Sequence, residues 1–100
     1  MKNYDHIVKM EKIRVQQEKM LQEIQALLEQ LEECRGDYAA LIEYYYSQQR
    51  AEDLADDEAG RIPQTIKRGV LSEDEIYELM GDYRDTAIHM MEVALRMIKQ

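Results

Sequence analysis

The stretch Met10–Tyr45, MEKIRVQQEKMLQEIQALLEQLEECRGDYAALIEYY, decides the fold. Alternating steps of three and four residues from Met10 reach Ile13, Gln17, Met20, Ile24, Leu27, Leu31, Cys34, Tyr38, Leu41 and Tyr45. Gln17 is the one position in that series that is neither apolar nor aromatic. A return every 3.5 residues is the heptad seam of a helix that packs on a neighbour. Ile7, Leu21, Leu28 and Ile42 lie beside the seam and widen it, which suits a helix in a bundle. Gly36 and Asp37 read as a left-handed stop and a new N-cap, so the expectation is helix 1 over 3–34 and helix 2 over 37–46. Ser47 then caps a further short helix through 48–55 that ends before Gly60.

Outward from that stretch, residues 60–71 carry three positive charges and no negative one. Pro63 and Gly69 fit the first residue and the C-cap of a helical turn. Ile62, Ile66 and Val70 give this connector an apolar side, as expected of an ordered arm. Ser72 with Glu75 three residues later forms a capping box, and Leu71 with Ile76 a hydrophobic staple. Glu73, Asp74 and Glu75 place negative charge at the positive end of the helix dipole. The second seam runs Ile76, Met80, Tyr83, Ala87, Met90, Ala94 and Met97, with Gly81 off it as a possible kink.

Helices of these lengths exceed the diameter of a compact 100-residue globule. The expected fold is therefore all-α: an elongated antiparallel hairpin of two long helices with a shorter middle helix, a three-helix bundle in a single domain over 1–100. The net charge of −8 argues against general affinity for nucleic acid or anionic membranes. One Cys excludes an internal disulfide and a Cys-based zinc site. No run of 18 apolar residues exists and the first residues lack an apolar signal core, so a soluble, cytoplasmic protein is expected.

The catalytic inventory is thin. Ser72 is used in capping, Cys34 and His6 fall on the helix 1 seam, and His89 sits on the polar side of helix 3 between Asp85, Glu92 and Arg96. There is no phosphate-binding glycine loop and no His-Glu-x-x-His. Asp53, Asp56 and Asp57 share a helix face where a divalent cation could bridge them, but a solvated acidic stretch facing Arg61, Lys67 and Arg68 accounts for them as well. No catalytic residue, cofactor or metal is assigned.

The most informative segment is Ala87–Ile98, whose polar positions are His89, Glu92 and Arg96 alone. One neighbouring helix cannot cover so wide an apolar face. Helix 2 covering the rest would close a bundle, the commoner fate of such stripes; a second copy or another protein is the alternative. Ile88, Met91, Leu95 and Ile98, with Tyr44 from the Tyr44-Tyr45-Tyr46 run, are the candidate partner interface.

Asp57-Glu58-Ala59-Gly60, then Ile62-Pro63 and Lys67-Arg68-Gly69-Val70-Leu71-Ser72-Glu73-Asp74, with Tyr44-Tyr45 upstream and Tyr77 downstream, resembles a small bacterial family known as domain of unknown function 4298. The resemblance covers nearly the whole chain, helix 1 in pattern more than in residues. It implies a short all-helical cytoplasmic protein and no known activity. Its matched residues single out Asp57, Lys67, Arg68 and Tyr77 as a shared corner.

Function is expected to be that of an interaction or adaptor module presenting an apolar helix face to an unnamed protein partner, with a homodimer as one form. The competing readings are an acidic decoy for a nucleic-acid-binding protein and a metal-dependent or acid–base enzyme centred on Asp53, Asp56, Asp57 and Arg68.

Overall fold

The computed structural model describes residues 2–100. The chain is all-α, with no strand among the described residues. Helix α1 spans Asp5–Tyr45, α2 spans Gln48–Glu58, a short 3-10 turn spans Gly69–Leu71, and α3 spans Glu73–Lys99.

Helix α1 starts where the Asp5 amide donates to Asn3 Oδ1 at 2.8 Å. It then runs unbroken through Gly36 and Asp37, so the expected stop there, and the separate helix over 37–46, are corrected. Gly36 has no left-handed backbone; Gly60 is the one glycine with positive φ. A glycine inside a helix costs about 1 kcal/mol relative to alanine. Ending the helix leaves up to four carbonyls without intrahelical partners, a larger penalty unless caps replace them.

The chain divides into two units, Met1–Ala39 and Ala40–Gln100. The first consists of helix α1 alone. Its seam and flanking residues Ile7, Met10, Ile13, Met20, Leu21, Ile24, Leu27, Leu28 and Leu31 are 36–63% exposed, because a lone helix cannot cover its own stripe.

The second unit holds the tertiary packing. Ser47 caps α2 as its sequence suggests: Oγ accepts from the Arg50 amide at 3.1 Å while the hydroxyl donates to the Tyr44 carbonyl at 2.6 Å. The α2 terminus follows the Schellman pattern. Gly60, at φ 70°, donates to the Asp57 carbonyl at 3.1 Å, and Arg61 to that of Asp56 at 2.9 Å.

Between α2 and α3 the connector makes a turn closed by the Ile66 amide on the Pro63 carbonyl at 3.0 Å. Gly69 does not end a helical turn; it opens the 3-10 turn, which touches both α2 and α3. Of the connector's expected apolar side, Ile62 is half-buried while Ile66 and Val70 stay exposed. The buried hydrophobics are Leu71 and Ile76, at 9% and 3% exposure, the two residues that the staple rule selects around the start of α3. Leu41, Ile42, Tyr45, Leu54, Met80 and Tyr83 of this unit are half-buried. The capping box does not form. Ser72 is extended at φ −66°, ψ 134° but its hydroxyl caps nothing, and the Glu75 carboxylate folds over Gly69 instead.

Candidate functional site

Two constellations in the second unit take in most of the residues that sequence reasoning selected. The first is a polar knot where α2 meets the connector. The Arg50 guanidinium lies 4.6 Å from the Tyr45 ring centroid. It donates through Nε to the Val70 carbonyl at 3.2 Å and through Nη2 to the Ser72 carbonyl at 3.3 Å. One side chain thus ties α2 to a carbonyl within the 3-10 turn and one just after it, and its planar fork is suited to two acceptors at once. Sequence reasoning missed Arg50, since an arginine in the first turn of a polar helix looks like any solvated cation.

Tyr44 Oη donates to Asp53 Oδ2 at 2.7 Å, and Gln49 Nε2 donates to Asp53 Oδ1 at 3.0 Å. These two bonds hold the Asp53 carboxyl below the usual carboxylate range, the tyrosine contributing most. Loss of water contact, then the hydrogen bond to Asp53, pushes the Tyr44 phenol up. Tyr44 is half-buried and its hydroxyl is engaged within its own unit.

Asp56 and Asp57 of the acidic run form ion pairs. Asp56 meets Arg61 at 3.2 Å and Asp57 meets Arg68 at 3.3 Å, while Arg68 Nη1 also approaches the Ile62 carbonyl at 3.5 Å. Such partly exposed pairs contribute roughly 0–1 kcal/mol each. Their use is to fix the connector against α2. No group of three or more His, Cys, Asp or Glu able to hold a metal ion occurs among the described residues.

Asp57 and Arg68 of the expected corner are thus brought together. Lys67 instead borders a shallow groove of about 450 Å³ walled by Leu41, Val70, Ile76 and Leu79, with Gly69 and Glu75 at its edge. Tyr77 stands 69% exposed on α3 and is not part of the ion pair.

The second constellation is the far end of α3. Ile88, Met91, Leu95 and Ile98 recur at steps of three and four, so they form one stripe. Met91 is 72% and Ile98 81% exposed, and Ile88 and Leu95 are also exposed. No element of their own unit covers them. Cys34, a seam residue of α1, is likewise exposed.

The geometry defines a small helical protein with a structural polar knot and an uncovered apolar stripe. The chain belongs to the family described as domain of unknown function 4298 (DUF4298), whose model matches residues 7–93 and so takes in both units and the Asp57–Arg68 corner. Neither a curated protein nor a solved structure matches the chain. No described helix is long and apolar enough to cross a membrane.

Proposed function

We propose that this chain is a protein–protein interaction module that works by presenting apolar helix faces to a protein partner. The observation that carries the proposal is the stripe Ile88, Met91, Leu95 and Ile98, which stands in water in a unit whose own core is small. Large contiguous apolar surface on a helix is a feature of partner sites, and methionine side chains adapt to varied partner shapes. The polar groups nearby support a structural role in preference to chemistry. Asp53, Asp56 and Asp57 each have a partner within the unit, and Arg50 and Arg68 are engaged with backbone carbonyls.

An antiparallel α1–α3 hairpin is the arrangement that would cover the stripe within one chain. Capture experiments separate the two. The wild-type chain should retain a specific protein from extracts of its own cells, and the double variant Met91→Glu, Ile98→Glu should lose it while keeping its helical circular dichroism. Equal capture by the two chains, or a melting temperature lowered by the variant as for a core substitution, would refute the partner role of this stripe.

A further inference from the structure

We infer that the apolar seam of α1 takes a second copy of this chain, with the two α1 helices pairing antiparallel. The inference rests on the interaction role proposed above and names its partner on a different helix. The seam is long: an unbroken helix of 41 residues carries the heptad from Met10 onward, and Leu27 at its middle is 63% exposed. A two-helix pairing of that length has the scale of a standard interface, about 800 Å² per partner.

Charge selects the occupant and its direction. Residues 2–20 carry five Lys and Arg against three Asp and Glu, whereas residues 21–39 carry one Arg against five Asp and Glu. The line of helical residues flanking the seam on one side reads Lys9, Gln16, Glu23, Gln30, Asp37, cationic at the start and anionic at the end. In an antiparallel pair this line faces its own reverse, so each basic half lies along an acidic half. A parallel pair sets like halves together and brings Lys9 against Arg14 of the other copy. Pairing with the chain's own α3 fares no better. Residues 73–86 hold six acids and one base, and residues 87–99 two bases and one acid, so an antiparallel α1–α3 contact also matches like with like.

Cys34 reports the direction, because it lies on the seam. Parallel helices place the two Cys34 side chains face to face, while antiparallel helices hold them roughly 40 Å apart, beyond disulfide reach. The test is sedimentation of the full chain, with and without a thiol oxidant, across concentration and salt. A dimer is expected that weakens as salt is added, forms no Cys34–Cys34 disulfide, and is weakened about tenfold or more by Leu27→Glu. Lys9→Glu should weaken it too, and adding Asp37→Lys should restore it, which a merely misfolded variant would not show. A monomer at about 100 µM, a rapid Cys34 disulfide, or a dimer abolished by Met91→Glu, Ile98→Glu but not by Leu27→Glu would each overturn the inference. A monomer that still captures a partner through Met91 and Ile98 overturns the pairing alone and leaves the interaction role standing.

Discussion

Arg50 stacks on Tyr45, 4.6 Å from guanidinium carbon to ring centroid, while its nitrogens reach the carbonyls of Val70 and Ser72. This arrangement joins the end of α1, the start of α2 and the entry to α3 through one side chain. Replacing Arg50 by Ala removes two charge-assisted hydrogen bonds and a stacked cation, and should cost about 2–3 kcal/mol. Arg50→Lys should recover only part of it, because an ammonium lacks the two-acceptor fork. Chemical denaturation of the three chains measures both steps.

Tyr44→Phe should lower the melting temperature at neutral pH, since Asp53 then loses its strongest partner. The sign with pH follows from the shifts. Asp53 is lowered, so its contribution is complete above the ordinary carboxylate value near ~3.9 and is lost as pH falls through the lower native one. Tyr44 is raised, so its contribution is complete below the ordinary phenol value near ~10 and fades as pH climbs through the higher native one. Melting curves of the wild type and Tyr44→Phe should therefore converge at both extremes. A gap independent of pH would contradict the hydrogen bond.

The two informative glycines should respond oppositely to alanine. Gly36 lies inside α1 with open space where a Cβ would go, so Gly36→Ala should raise stability and helicity by about 1 kcal/mol. Gly60 holds φ 70° in the α2 stop, and Gly60→Ala should destabilise by roughly 1–2 kcal/mol. If Gly36→Ala destabilised the chain, the helix break expected from its sequence would be present after all.

Ile76 and the α3 stripe should also separate cleanly. Ile76→Ala removes a side chain exposed by only 3% and should cost about 2–4 kcal/mol. Met91→Gln or Ile98→Gln changes a side chain already in water and should move stability by less than about 0.5 kcal/mol. Urea titrations of the three variants give the comparison.

Local rules carried much of the fold. The periodicity from Met10 to Tyr45 is one helix, Ser47 caps the next, and Leu71 with Ile76 mark the start of the third. Gly36-Asp37 misled because stop and cap preferences are small energies, and continuing the helix keeps the carbonyls before Gly36 paired. The Ser72 and Glu75 pairing failed for a similar reason: Glu75 folds over Gly69, a contact set by the 3-10 turn that spacing alone does not reveal. Of the candidate residues, the Asp57–Arg68 pair was legible from opposite charge across a short connector. Tyr44 was not, because its partner Asp53 depends on how α2 turns back on the end of α1. Arg50 left no signal, since its acceptors are backbone carbonyls twenty residues or more away.

The claim that the α3 stripe meets another protein is tested most directly inside the cell that makes it. A photo-crosslinking amino acid placed singly at position 91 or 98, and at the polar position 89 as control, reports what touches each face. Discrete higher-mass adducts are expected from 91 and 98 and none from 89. Equal expression with no adduct at 91 or 98, or the same adducts at all three positions, would contradict it.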